Sequence, residues 1–148
     1  MHLSLQTDFA LRILMALGTS EQQMSVEEIS RRYNVSRNHL AKVAHRLQTL
    51  GLVKATRGRG GGLSLARPPE DINVGEVVRT VENLGNFVEC MQASSNGCPV
   101  AGACGLQGAL TRALQDFLRR LDQYQLSDLT PNRQRFASLL AEAGAHEA

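Results

Sequence analysis

No run of 18 apolar residues occurs in this 148-residue chain, so no transmembrane helix is expected. The opening stretch, 1-MHLSLQTDFALRILMAL-17, lacks a basic leader and carries Asp8 and Arg12 inside its apolar pattern, so no signal peptide is expected. Cysteines number three, an odd count that leaves no closed disulfide framework and suits a reducing cytoplasm. No Ser–His–Asp arrangement is evident. The run 57-RGRGGG-62 lacks the Lys-Ser/Thr ending of a phosphate loop and the helix that should follow it. An enzyme is therefore not expected.

Acids are missing from one long stretch. Residues 29–67 hold nine Lys or Arg and no Asp or Glu, whereas the rest of the chain holds seven basic and all fourteen acidic side chains. The net charge is only +2. Its concentration in one block fits a nucleic-acid surface better than an ordinary solvated face, because the block coincides with a helix-turn-helix pattern and a hairpin. A hydrophobic content of 43% excludes a wholly disordered chain. The length suffices for one domain with a real core, or a small domain plus a dimerisation arm.

Residues 4–18 read as a helix. Leu5, Phe9, Ile13 and Ala16, with Leu11, Leu14 and Leu17, give it a wide apolar face, and Gly18 can end it. The run 25-SVEE-28 reads as a capping box, with Ser25 capping and Glu28 reaching back. A short helix to about Arg32 then turns Val26 and Ile29 inward. Tyr33, Asn34 and Val35 make a turn, and Ser36 is the next N-cap candidate. The helix from Arg37 to Leu50 buries Leu40, Val43, Ala44, Leu47 and Leu50, and Gly51 stops it. Its other face shows Arg37, Asn38, Lys42, His45 and Arg46, as a recognition helix does.

Val53 and Ala55 then alternate with Lys54 and Thr56. A turn follows from Arg57 to Gly62, and Leu63 and Leu65 return. This is a β-hairpin, and directly after a recognition helix it is a wing whose tip can enter a minor groove. Pro68 and Pro69 close it. Asn73 to Glu82 reads as a helix with Asn73 and Glu76 as a capping pair, and 84–104 as a long loop. Leu106 to about Tyr124 is the longest helix pattern. Its stripe of Leu106, Leu110, Ala113, Leu114, Phe117, Leu118 and Leu121 suits pairing with its twin across a two-fold axis. Thr130-Pro131 opens a last helix ending near Ala143, and 144–148 is expected to fray. The expected fold is mainly α with a small β-hairpin, a winged helix-turn-helix with a long C-terminal dimerisation helix. The expected divisions are a DNA-binding domain at 1–83, a thiol-bearing loop at 84–105 and the dimerisation and C-terminal helices at 106–148.

All three cysteines, Cys90, Cys98 and Cys104, fall in 89-ECMQASSNGCPVAGAC-104. Incidental buried thiols account poorly for three in a Gly-, Ser- and Asn-rich loop. A redox switch could pair Cys98 with Cys104 or use Cys90 as the resolving thiol. A metal site would draw on the preference of thiolates for zinc, copper(I) or iron–sulfur clusters. The C-x7-C and C-x5-C spacings are wider than the knuckle of structural zinc and would let a loop wrap a larger object. A cubane cluster needs a fourth donor from elsewhere. Asp8, Glu89, His2 or a residue of a partner subunit are the candidates. Asp8 is a lone acid on a strongly apolar helix, with a surface or helix-dipole role as its alternative. His39 and His45 lie on the helix expected to face DNA.

Several stretches together resemble the Rrf2 family of bacterial winged-helix regulators over nearly the full length: 3-LSLQTDFALRILMAL-17, 35-VSRNHLAKVAHRLQTLGLV-53, 57-RGRGGGLSLARPPEDINVGEVVR-79, and 87-FVEC-90 with Cys98 and Cys104. The likeness is closest to the NsrR-type nitric-oxide-sensing branch. That resemblance implies a cytoplasmic homodimer with one [4Fe–4S] cluster per subunit, held by Cys90, Cys98, Cys104 and, across the dimer interface, Asp8. It implies a repressor that releases its operator when nitric oxide attacks the cluster. In the sister IscR type, a His three residues after the last cysteine completes the ligand set. Gln107 stands at that place here, which makes the alternative [2Fe–2S] cluster the lesser expectation. A thiol-redox, iron-status or metal-ion responsive regulator on the same fold is the rival function.

The expected partner is double-stranded DNA carrying an inverted repeat, read by two recognition helices about 34 Å apart. Arg37, Asn38 and His39 open the helix toward base edges or phosphates, and Ser36 meets a phosphate while capping. Lys42 and Arg46, later on the helix, are expected to touch backbone, and Arg57 and Arg59 to make the wing contacts.

Overall fold

Side-chain caps start three of the helices in the computed structural model, which describes residues 2–92 and 97–145. The middle of the thiol-bearing stretch, 93–96, and the expected frayed end at 146–148 lie outside the described residues. Ser4 Oγ accepts from the Thr7 amide at 3.3 Å and opens α1, Leu5–Thr19. Ser25 Oγ accepts from the Glu28 amide at 3.0 Å and opens α2, Val26–Tyr33. Asn73 Oδ1 accepts from the Glu76 amide at 3.0 Å and opens α4, Val74–Val81. Each bond satisfies an amide that the first helical turn leaves free. The expected return contacts of Glu28 and Glu76 do not form. Glu28 turns to Arg32 one turn on, and Glu76 faces Arg67 at 3.6 Å, because a cation is a stronger partner for a carboxylate than a neutral amide.

Between α2 and α4 lies the rest of the winged unit. Asn34 takes the left-handed conformation (φ 50°) and turns the chain into α3, Arg37–Thr49. Ser36 occupies the N-cap position of α3 without a side-chain cap bond. Ile29, Leu40, Val43, Ala44 and Leu47 are buried, but Leu50, expected in the core, is 38% exposed. The helix ends before Leu50, and Gly51 at φ +71° swings the chain away. Strands β1, Val53–Thr56, and β2, Gly62–Leu65, pair antiparallel with Val53 opposite Leu65 and Thr56 opposite Gly62. Val53 and Leu63 are the buried residues of the hairpin. Ala55 is exposed although Leu63, its partner across the hairpin, is buried. Leu63 also exchanges backbone bonds with Met24, at 2.8 and 3.1 Å, which ties the base of the wing to the segment before α2.

Helix α1 lies at the centre, packed against α3, α4, β2 and the last helix, α6, Arg133–Ala145. Ala10, Ile13 and Leu14 of α1 are fully buried with Ile29, Leu40, Leu47 and Ile72. Each large apolar side chain so removed from water contributes about 1.5–3 kcal/mol. Leu5 departs from the expected apolar face and is 67% exposed. Helix α6 returns to pack on α2 and α1. Three short 3-10 turns, Leu84–Asn86, Glu89–Met91 and Leu126–Leu129, stand where loops were expected, and Leu126 is buried. Among the described residues no helix is long and apolar enough to cross a membrane.

The long helix α5, Leu106–Leu121, joins the body by its C-terminal end. Asn73 Nδ2 donates to the Asp122 carbonyl at 2.7 Å, Val74 N to the Tyr124 carbonyl at 3.0 Å, and Leu126 N to the Ile72 carbonyl at 2.8 Å. The Arg79 guanidinium forks onto the Asp122 carboxylate, with Nη2–Oδ2 at 2.7 Å. Eight residues of α4 span roughly 12 Å and sixteen of α5 roughly 24 Å, so α4 can cover only half of α5. Leu118 is the one buried residue of α5; Leu106 is 57% exposed, Ala113 is exposed, and Leu110, Leu114, Phe117 and Leu121 are half-buried.

Gly75 lies directly under the Asp122 carboxylate, where a Cβ would collide with it. Gly75→Ala is therefore expected to destabilise the fold by about 1–3 kcal/mol through overpacking. Chemical denaturation at fixed protein concentration checks this; an unchanged midpoint would contradict the packing of α5 on α4.

Candidate functional site

The structure sorts the nine basic side chains of 29–67 into two groups. Arg32 pairs with Glu28, Arg67 with Glu76, and Arg46 donates to uncharged acceptors. Arg31, Arg37, Lys42, Lys54, Arg57 and Arg59 are exposed and make no ion pair with another described residue. Ser36, Asn38 and His39 are exposed at the start of α3 beside Arg37. Arg57 and Arg59 stand on the wing turn, whose shape demands glycine. Gly58 and Gly60 have φ of +101° and +81°, and a Cβ on Gly61 would strike the Thr56 carbonyl oxygen. The exposed cations thus gather on the end of α2, α3 and the wing, a surface suited to a phosphate backbone.

Asp8, the one acid of α1, is paired. Its carboxylate accepts from Arg12 Nε one turn on, at 3.1 Å to Oδ1 and 3.0 Å to Oδ2. The same guanidinium lies 5.6 Å from the centroid of the Tyr33 ring, and Tyr33 Oη donates to the Arg12 carbonyl at 3.2 Å. Burial, opposed by the Arg12 charge and reinforced by the Asp8 charge, pushes the Tyr33 hydroxyl up to about 12, so it stays a neutral donor. The Asp8 side chain remains 41% exposed.

None of the three cysteines is in a disulfide; Cys90 and Cys98 are half-buried and Cys104 is exposed. Cys90 stands in the 3-10 turn Glu89–Met91. Cys98 and Cys104 bracket a tight turn closed by Ala101 N on the Cys98 carbonyl at 3.2 Å and Cys104 N on the Val100 carbonyl at 2.9 Å. Cys104 Sγ accepts from the Leu106 amide at 3.4 Å, facing the free amides that open α5. Gln107 Nε2 donates to the Cys90 carbonyl at 2.8 Å and brings the first thiol-bearing turn to the same helix end. As donors, three cysteine sulfurs suit a soft metal centre. By position they do not close one: among the described residues no group of three His, Cys, Asp or Glu stands close enough to hold a metal ion.

Sequence reasoning missed the residues that connect these regions. Glu82, the C-cap of α4, reaches the start of α1. Its Oε2 accepts from Ser4 N at 2.9 Å, Ser4 Oγ at 3.0 Å and Thr7 Oγ1 at 2.6 Å. Burial alone would push this carboxyl up. The bonds from Thr7, from both donors of Ser4 and from the Asn83 amide outweigh it and hold Glu82 below the usual carboxylate range. In the same recess, Arg46 Nη2 donates to the Thr80 carbonyl at 2.8 Å and Nη1 to Gln6 Oε1 at 3.2 Å. The hydrogen bond from Arg79, with the guanidinium charge beside it, holds the Asp122 carboxyl low against its slight desolvation. Nothing in residue spacing marks these partners, which lie up to 78 positions apart.

Comparison with known proteins places this arrangement in context. A family model of Rrf2, described as an iron-dependent transcriptional regulator, matches residues 3–132. The chain is 44% identical over 142 residues to the HTH-type transcriptional regulator NsrR of Bacillus subtilis, covering 95% of this chain and 97% of that one. It is 42% identical to the regulator of the same name from Halalkalibacterium halodurans, with the same coverage. Among solved structures, T. potens IscR aligns with a TM-score of 0.71 over 91% of this chain and 90% of that one, at 23% identity, a likeness of fold.

The Glu82 cluster carries a pH dependence of known sign. A carboxyl held low when folded stabilises the fold fully above its unfolded value, and that contribution is lost as pH falls through the folded value. Glu82→Gln is expected to cost on the order of 1–2 kcal/mol at neutral pH. The gap to the unmodified protein should close as pH drops below about 4. Denaturation midpoints of both proteins against pH decide it; a gap constant with pH would contradict the assignment.

Proposed function

The chain belongs to the Rrf2 family of transcriptional regulators, and from that premise we propose that it is a cytoplasmic homodimeric repressor which releases its operator when nitric oxide damages an iron–sulfur cluster held by its thiols. It is a DNA-binding transcription regulator and not an enzyme. One observation carries the finer reading: three cysteines, none in a disulfide, occupy the segment joining the winged unit to the long helix, in a chain 44% identical to a regulator called NsrR.

Cys90, Cys98 and Cys104 would be the thiolate ligands of a [4Fe–4S] cluster, and Asp8 of the partner chain the fourth. When bound, such a cluster supplies iron that nitric oxide attacks. The chain's own part is positional. Cys90 follows α4 and Cys104 precedes α5, so a ligand held by both ties together two helices whose other ends are already joined at Asn73, Arg79 and Asp122. To serve as a donor, Asp8 must share or release its Arg12 partner. Gln107, at the place of the IscR-type histidine, offers no imidazole, which argues for [4Fe–4S] over [2Fe–2S], and its amide donates to the Cys90 carbonyl. The rival on the same fold is a thiol-redox, iron-status or metal-ion response.

The exposed side chains of Arg37, Asn38 and His39 would read base edges or phosphates of an inverted repeat. Ser36 and Lys42 would hold phosphates, and Arg57 and Arg59 would hold the backbone or minor groove beside it. The division into a DNA-binding unit at 1–83, a cluster loop at 84–105 and a dimerisation region from 106 onward follows from these roles. The uncovered stripe of α5 supports the dimer.

Anaerobically purified protein is expected to be coloured, with iron and sulfide in equal amounts, and Cys98→Ala or Asp8→Ala to lower both. Titrated on a palindromic duplex, it should bind tightly before exposure to nitric oxide and weakly after. Colourless protein whose DNA affinity responds to thiol oxidants instead would establish the rival. Replacing Phe117 by Asp places an unpaired charge in the apolar stripe and should yield monomer in sedimentation. A dimer that survives both Phe117→Asp and Leu114→Asp would move the interface off α5.

A further inference from the structure

Arg46 stands in the last turn of α3, nine residues and roughly 14 Å beyond Arg37 along the helix axis. Base contacts in a helix-turn-helix come from the start of the recognition helix. Both terminal nitrogens of Arg46 are engaged by the protein. One is on the Thr80 carbonyl in the last turn of α4, the other on Gln6 in the first turns of α1. The Thr80 carbonyl is one of the acceptors that a helix end leaves without an intrahelical donor, and a cation is the partner that such an end prefers. Arg46, Gln6, Ser4, Val81, Glu82 and Asn83 line one recess. Arg46 and Lys42, one turn earlier, are both exposed, but only Arg46 bridges to two other helices.

We propose that Arg46 is a positioning residue, which sets the angle of the recognition helix by clamping it to the C-terminal end of α4 and to α1, and that it does not contact DNA. The proposal rests on the reading of α3 as the recognition helix. Its physical basis is the number of acceptors served. The planar fork of arginine bonds two acceptors on two different helices at once, which a lysine, as a point charge, does not reproduce. Loss of the clamp leaves the Thr80 carbonyl unpaired and α3 held only by its apolar face.

The test measures affinity for an operator-like palindrome and for an unrelated duplex over a range of salt, using the full-length protein purified anaerobically. Arg46→Lys keeps the charge and is expected to weaken palindrome binding about tenfold, the equivalent of one hydrogen bond to a charged group, with unrelated-duplex affinity unchanged. Arg46→Ala should give a similar loss with the salt slope nearly unaltered. Lys42→Ala, the phosphate-contact control, should lower the slope by about 0.9. Wild-type palindrome affinity in Arg46→Lys, or a slope lowered by about 0.9 in Arg46→Ala, overturns the clamp and makes Arg46 a phosphate contact. If neither Arg46 variant folds, Gln6→Ala decides. It carries no charge, so a selective loss of palindrome affinity upholds the clamp and full affinity overturns it. Failure of the unmodified protein to bind either duplex refutes the DNA reading itself, and the clamp with it.

Discussion

Helix α4 is eight residues long, and both its ends are held by other parts of the chain. At its start, Asn73 caps it with one side-chain atom and grips the end of α5 with another. At its finish, Arg46 from α3 meets a free carbonyl, and Glu82 turns back to meet the Ser4 amide and the Ser4 and Thr7 hydroxyls at the start of α1. The signs follow the helix dipole: the anion sits at an N-terminus and the cation at a C-terminus. A helix this short has little stability of its own. It persists because Val74, Val77, Val78 and Val81 are buried and because its ends are needed elsewhere. Helix α5 is held to the body largely through it, while α1 also packs directly on α3.

This arrangement gives the basic face its shape. Of the nine cations in 29–67, the two paired with acids and the one on neutral acceptors brace the fold, and the other six remain exposed on α2, α3 and the wing. The wing is fixed at its base by Leu63, bonded to both Met24 and β1, and free at its glycine-rich tip. A rigid base with an adaptable cationic tip suits a duplex, whose phosphates are fixed while groove width varies with sequence.

The thiol segment departs from the end of α4 at Glu82 and re-enters the fold at the start of α5. Whatever draws its cysteines together therefore acts on the same helix ends that orient α1 and α3. A signal received there has a short physical route to the recognition helix, through contacts that are polar and few. Apolar packing of the kind found around Ile13 and Leu47 would not serve so well, since it fills space without distinguishing one partner atom from another.

Much of this was legible in the residues alone. Ser25 and Asn73 start helices because a short polar side chain before an apolar repeat can satisfy free amides locally. The hairpin follows from alternation around a glycine-rich turn. The concentration of charge and of thiols was equally local, and so was the resemblance those stretches carry. Local patterns failed where a side chain had a choice of partner. Glu28 took Arg32 over its own cap, Leu50 left the core one residue past the helix end, and Asp8 proved to be held by Arg12. Beyond sight altogether were Glu82 on Ser4 and Thr7, Arg46 on Thr80 and Gln6, and Arg79 on Asp122. Those pairs are brought together by how α1, α3, α4 and α5 pack, and a polar pair distant in sequence leaves no periodicity to read. The sequence by itself determined the elements, the charge of the face and the chemistry of the loop. Only the tertiary structure decided which charges were left exposed for a partner and which were spent holding the helices in place.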